Sequence, residues 1–372
     1  MESPPTTSGD APKVFPRLTS FRTADHPGTL GQIGPEARHF VVEEIPAYSP
    51  VGQGEHLYLW IEKVGLNTPD VERRIARALG INPRDVGYAG LKDRNAITRQ
   101  WFSALSKHTG EGLELGEGVL ILECARHENK LRTGHLRGNR FIITLVDVPH
   151  PERAEGIAQR LIERRLGNFF GAQRFGRGGQ NLSQSLGTLR AGPRARGRRS
   201  HFDAKLGASV IQAELFNRYA LLRLARPEPL FEGEVVRLEG SAKCFIVEDV
   251  AQELPRLERG DIHLTGPMVG PKMVAARGVP FELEQEVLRE LELGVGELTT
   301  LAEDAPGTRR DLLVAPEGLR IESSGPDSLR LEFALPAGSY ATELIREFTR
   351  SPTGDRPISA GTTPRSPSLP DV

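Results

Sequence analysis

The sequence predicts an α+β protein, and three observations carry that prediction. Strand-like runs crowd the first third of the chain, at 39–45, 56–64, 118–127 and 139–148. Apolar residues at helical spacing recur among them, at 68–79 and 151–166. Strand-forming sequence then returns near residue 310, after a long arginine-rich and helical middle. With 372 residues, two or three domains of roughly 100–200 residues each are expected.

The elements follow in order. HFVVEEI (39–45) and HLYLWIEKV (56–64) are rich in β-branched and aromatic residues, and the Pro/Gly-bearing YSPVGQGE turns between them. The first helix is capped by Thr68, has Pro69 at its first position and repeats Val71, Ile75 and Leu79 before Gly80 ends it. GVLILECARH and NRFIITLVDV read as two further strands. A second helix is expected from Pro151 to Leu166, with Ile157, Leu161, Ile162 and Leu166 on one face. A long helix from about Leu206 to Ala225 carries Val210, Leu215, Tyr219 and Leu222 on its apolar face. Short strands (VVRLEG, KCFIVED, DIHLTG) and the acidic helix FELEQEVLRELELG follow. The chain then reads as a hairpin over 318–336 around Gly325-Pro326-Asp327, followed by the short helix ATELIREFTR. Residues 1–25 and 351–372, rich in Pro, Ser and Thr, cannot build a core and are expected to be flexible.

Composition excludes several classes. No run approaches the roughly 20 apolar residues of a membrane span, and the first residues carry no apolar signal segment. Cys124 and Cys244 are the only cysteines and show no CxxC spacing, which argues against a disulfide framework or a structural zinc and for a reducing, cytoplasmic setting. Net charge is −1, but the average conceals a local excess: Arg160 to Lys205 holds eleven Lys/Arg against two acids. Within it, LRAGPRARGRRS places Arg194, Arg196, Arg198 and Arg199 on a loop able to follow a nucleic-acid backbone; a solvated loop would have the same composition. In NFFGAQRFGRGGQNL (168–182), glycines allow close backbone approach, while Arg174 and Arg177 bring charge and three Phe bring stacking faces. A glycine-rich turn with its Phe residues in the core would read alike.

GYAGLKDRNAITRQWF (87–102) sets Asp93 between Lys92 and Arg94 on a glycine-flanked loop. Such an aspartate serves as nucleophile, general base or turn residue. HExxH, GxSxG and Walker motifs are absent from the sequence. An active site here would work with a carboxylate and without a metal.

GYAGLKDRNAITRQWFS, CARHENKLRTGHLRGNRF (124–141), NFFGAQRFGRGGQNL and LPAGSYATELIREF (335–348) together resemble the signature blocks of the TruD family of tRNA pseudouridine synthases, in the family's order and spacing. The resemblance spans about Gly31 to Phe348. It implies a pseudouridine-synthase catalytic domain with a mixed or antiparallel sheet and flanking helices, at 26–164 and 309–350, interrupted by an inserted α+β TRUD domain at 165–308. It also implies isomerisation of a tRNA uridine, position 13 of the D arm, with no cofactor or metal, by a cytoplasmic monomer that needs no membrane. Asp93 stands at the family's catalytic aspartate, Phe141 at the aromatic that stacks on the flipped base, and Asn139 at a polar residue that arranges the aspartate. One position departs. Many members carry a lysine, the aspartate's basic partner, where GQIGPEARHF (31–40) has Gly34, which leaves Arg38, Lys92 or Arg94 to substitute. The rival expectation is a catalytically impaired RNA-binding or RNA-folding module on the same scaffold.

Overall fold

The computed structural model describes residues 20–192 and 201–351. Over the described residues the chain forms two compact units, one built from Thr29–Glu152 with Gly318–Ala337, the other from 20–28, Arg153–Glu317 and 338–351. The sequence reading drew borders at 164/165 and 308/309; by contacts the helices Ala154–Arg164 and Ala341–Thr349 go with the second unit.

The first unit holds a nine-stranded sheet. Its strands are β1 (Gln32–Ile33), β2 (Phe40–Pro46), β3 (His56–Val64), β4 (Val86–Tyr88), β5 (Ile97–Leu105), β6 (Val119–His127), β7 (Leu136–Val146), β8 (Glu317–Gly325) and β9 (Ser328–Pro336). The order is β8-β9-β7-β2-β5-β3-β6, with β1 on β7 and β4 on β5. The β2–β5 pair is parallel and its neighbours are antiparallel, so the sheet is mixed, as expected. Two-residue periodicity sorts the side chains. Leu57, Leu59, Ile61 and Lys63 of β3 share a face with Thr98 and Gln100 of β5, Val42 and Glu44 of β2, and Asn139 and Phe141 of β7. The helix α1 (Thr68–Leu79) lays Val71, Ile75 and Ala76 on this face, against Leu57, Leu59, Ile61 and Phe102. Each such buried aliphatic side chain contributes about 1.5–3 kcal/mol.

The cap of α1 differs from expectation by one residue. Asn67 is the N-cap, and Gly80 ends the helix in the left-handed region at φ 67°. Thr68 is fully buried instead, and its hydroxyl serves the loop described below.

In the second unit the helix His201–Leu224 is buried on every side from 211 to 220, so it is a central helix rather than an amphipathic one. Around it lies a four-stranded sheet of Cys244–Ile246, Val235–Leu238, Ile262–Met268 and Thr308–Asp311. The expected helix from Pro151 to Leu166 stops at Arg164. Arg165 adopts φ 59°, and Leu166–Gly167 pairs with Leu313–Val314 as a strand. Ile157 and Leu161 are buried as expected, but Ile162 points to solvent, one residue off the i, i+4 stripe. Thr23, within the segment expected to be flexible, is fully buried and donates to Glu347 Oε2 at 2.7 Å. Residues 1–19 and 352–372 lie outside the description. No helix among the described residues is long and apolar enough to cross a membrane.

Candidate active site

The segment Ala89–Asn95 joins β4 to β5 across the α1 face, and almost every residue in it is tied down. The Ala89 carbonyl accepts from the Gly134 amide at 2.8 Å, and the Gly90 carbonyl from Gln100 Nε2 at 3.0 Å. The Lys92 amide donates to Thr68 Oγ1 at 2.9 Å, while that hydroxyl donates to Gln100 Oε1 at 3.0 Å. Arg94 Nε donates to the Gly65 carbonyl at 3.0 Å. The Asn95 amide donates to Asp93 Oδ1 at 3.1 Å, closing an Asx turn. The consequence is an exposed Asp93 carboxylate on a backbone held by hydrogen bonds at Ala89, Gly90, Lys92 and Asp93.

Two buried lysines lie beneath it. Lys92 is 9 % exposed and pairs with Glu44 at 3.2 Å. Glu44 accepts through its other oxygen from the Trp101 amide, just past the end of the parallel β2–β5 ladder. Burial pushes the Glu44 carboxyl up and the Lys92 ammonium down, each opposed by the partner's charge. Lys63 is fully buried. Its ammonium donates to three carbonyl oxygens: Leu66 at 2.7 Å, Asp93 itself at 2.8 Å and Lys92 at 3.4 Å. Burial lowers its pKa to about 8, against the pull of the Asp93 carboxylate and with the help of the Lys92 charge.

Across β2 from this loop, Asn139 stands opposite Glu44 and Phe141 opposite Val42. The Asn139 Oδ1 is buried and has no hydrogen-bond partner among the described residues. Phe141 is 6 % exposed and stacks on Phe333, with ring centroids 5.4 Å apart and planes at 26°. Phe40 meets it edge-on. The sheet thus places Asn139, Phe141 and the Lys92–Glu44 pair on one face, as their two-residue spacing requires.

The candidate substitutes for the family lysine are occupied elsewhere. Arg38 lies in the turn Ala37–His39 and pairs with Glu36 at 2.8 Å, its side chain 70 % exposed. Lys92 faces Glu44, and Arg94 holds Gly65. A side chain at Gly34 would collide with the imidazole of His39, so that space is already filled. The cation that touches the Asp93 backbone is Lys63, which the sequence alone does not single out. A signal was present: Lys63 continues the buried alternation Leu57, Leu59, Ile61.

The NFFG segment is a structural corner. Phe169 and Phe170 are buried, and Asn217 bonds both the amide and the carbonyl of Phe170 at 2.8 and 2.9 Å. Arg310, also unforeseen, lies 4.2 Å over the Phe170 ring and donates to Asn168 Oδ1 at 2.6 Å; burial lowers its pKa to about 10. Arg174 keeps a buried Nε without a partner among the described residues, 5.9 Å from that same ring by its guanidinium carbon. The Arg177 side chain and Arg194, Arg196, Arg198 and Arg199 lie outside the described residues. Among the described residues no cluster of three or more His, Cys, Asp or Glu could hold a metal.

The family model described as tRNA pseudouridine synthase D (TruD) matches residues 19–185 and 205–348. The tRNA pseudouridine synthase D of Anaeromyxobacter dehalogenans is 39 % identical over 341 residues, covering 89 % of this chain and 96 % of the relative. That of Thermus thermophilus is 39 % identical, covering 90 % and 93 %. A Methanosarcina mazei crystal structure assigned as a tRNA pseudouridine synthase D superposes with a TM-score of 0.71 at 22 % identity, covering 90 % of this chain and 97 % of its own, a likeness of fold. The chain therefore belongs to the tRNA pseudouridine synthase D family, isomerases that convert uridine in tRNA to pseudouridine.

Proposed function

We propose that Asp93 is the catalytic carboxylate and that the uridine it acts on is position 13 of the tRNA D arm. The observation that carries the reading is the pinned loop: an exposed carboxylate whose backbone is held from both sides, with the ammonium of Lys63 on its own carbonyl. The reaction breaks the N1–C1′ bond, turns the uracil and joins C5 to C1′; the C5 proton leaves and N1 takes one up. A carboxylate serves either by adding to C1′ or by removing the C2′ proton. Product and substrate are isomers, so atoms and electrons balance without a cofactor.

The uridine must leave its stack, at a cost of a few kcal/mol. Phe141, stacked on Phe333 and largely buried, is the aromatic the extruded base would meet, and the Asn139 Oδ1, unpartnered among the described residues, suits an imide N–H. Lys63 acts as a positioning residue, fixing the Asp93 backbone and adding positive potential that favours the ionised carboxylate. The reading assigns 26–164 and 309–350 to catalysis and 165–308 to an inserted RNA-binding part including Arg174, in a protein working as a monomer in the cytoplasm. The test is tritium release from a tRNA transcript carrying 5-tritiated uridine. Release is expected from a transcript with uridine at position 13 and lost when that one residue is cytidine. Undiminished release from the cytidine transcript would place the target elsewhere.

A further inference from the structure

The block CARHENKLRTGHLRGNRF contributes Asn139 and Phe141 to the site above, but its first half does something else. Residues 127–135 line an open cavity of about 470 Å³ together with the turn after β2. That volume falls within the range of small-molecule sites. Its wall is aromatic: the Tyr48 and His127 rings stack with centroids 5.0 Å apart and planes at 22°. Tyr48 Oη lies 2.8 Å from His135 Nδ1, which fixes the ring's edge. Its rim is cationic, with Lys130 and Arg132, and no carboxylate lines it. Lys130 Nζ is steadied on the Arg84 carbonyl at 2.6 Å, and Arg132 is exposed. His127 is 8 % exposed, and its buried Nδ1 has no partner among the described residues.

Tyr48 and His127 also pack against the buried Tyr58, so the aromatic wall is partly core, but that packing does not involve the cations of the rim. His135 Nδ1 is satisfied by Tyr48 Oη, whereas the buried His127 Nδ1 has no partner among the described residues. Planar rings beside two cations and no acid suit a planar, anionic ligand: a nucleobase with its phosphate. The loop also backs directly onto the catalytic segment. The Gly134 amide holds the Ala89 carbonyl at 2.8 Å, the Leu131 amide donates to Ser103 Oγ at 2.9 Å, and a side chain at Gly87 would collide with the Leu131 carbonyl. Along the chain, His135 precedes Asn139 by four residues, about 13 Å at strand rise.

We propose that this cavity is a second nucleotide-binding subsite, which takes one nucleotide of the bound tRNA other than the reacting uridine, its base against Tyr48 and His127 and its phosphate between Lys130 and Arg132. Through the Gly134–Ala89 hydrogen bond the loop that lines the subsite is tied to the segment that carries Asp93. It rests on the chain's tRNA substrate and not on the role of Asp93, so affinity rather than turnover is its first readout.

The test compares tRNA affinity and its salt dependence for the full-length wild type, the double variant Lys130→Gln/Arg132→Gln and Tyr48→Leu. The charge variant changes two rim side chains and one hydrogen bond, Lys130 Nζ to the Arg84 carbonyl, so its urea midpoint is measured alongside. It is expected to weaken tRNA binding about tenfold at low salt and to flatten the plot of log affinity against log salt by about 0.7–0.9 units per lost phosphate contact. Tyr48→Leu is expected to weaken binding with an unchanged slope, because stacking carries no counterion release. Unchanged affinity and slope in the charge variant would overturn the proposal. So would inorganic phosphate perturbing the His127 and His135 imidazole resonances while tRNA affinity stays unaltered in all variants, since the site would then take a free anion rather than RNA.

Discussion

Lys63 and Asp93 meet through the backbone while their side chains occupy opposite environments, one sealed and one open. A buried ammonium with carbonyl partners and, among the described residues, no carboxylate paired to it is costly to keep, which fits a role in holding the loop. Replacing it with methionine is expected to lower kcat about 100-fold, because a misplacement of about 1 Å at a reacting group costs that much. KM for tRNA should stay near wild type. The groups that face this ammonium are Asp93, Lys92 and Asp70, and its pKa lies near 8 against an ordinary 10.5. Wild-type kcat should therefore fall as pH rises through about 8, and that alkaline limb should be missing from Lys63→Met. Stability moves the other way. Between pH 8 and 10.5 the unfolded chain holds a proton on Lys63 that the folded chain has released, so this group's penalty on folding is removed as pH rises. Parallel pH profiles of kcat and of urea midpoint check both signs. A profile of kcat unaltered in Lys63→Met would remove Lys63 from the account.

At the scale of elements, α1 does more than cover β3 and β5. Its first residue, Thr68, links the Lys92 amide to Gln100 of β5, so helix, loop and sheet share one buried hydroxyl. Thr68→Val keeps the shape and removes both bonds. It is expected to cost about 1–3 kcal/mol in urea unfolding and to lower kcat, with Thr68→Ser recovering both; a Val variant as stable and active as wild type would show the link to be idle. The same residue shows how far the sequence could be read. Thr-Pro-Asp before an apolar repeat signals a helix start, and α1 forms there, but the local pattern could not show that Asn67 takes the capping role while Thr68 turns inward. Only a partner 32 residues away decides that. The hairpin over β8 and β9 and the short final helix were legible because turn and periodicity signals are local. The helix His201–Leu224 was legible as a helix but not as a buried one, since burial depends on what surrounds it. At the candidate site, Asp93, Asn139 and Phe141 are expected only through the resemblance of their blocks, whereas the contacts of Lys63 and Glu44 run to partners distant in sequence.

At the scale of the whole molecule, the sheet carries its charges as a ladder. Glu332, Arg140, Glu43, Arg99 and Glu62 alternate in sign across β9, β7, β2, β5 and β3 on the face opposite Lys63. Arg140 bridges Glu43 and Glu332 at 2.6 Å each, and Arg99 joins Glu43 to Glu62. A net charge of −1 is thus compatible with RNA binding, because many acids are paired within the fold and basic rims such as Lys130–Arg132 remain. The central claim is that the pinned loop exists to present Asp93. Its most direct test is single-turnover tritium release from 5-tritiated uridine in tRNA by wild type and Asp93→Asn, with tRNA affinity measured on the same samples. The account predicts that Asp93→Asn binds tRNA as tightly as wild type and releases no tritium above background. Release by Asp93→Asn at even a tenth of the wild-type rate would contradict it.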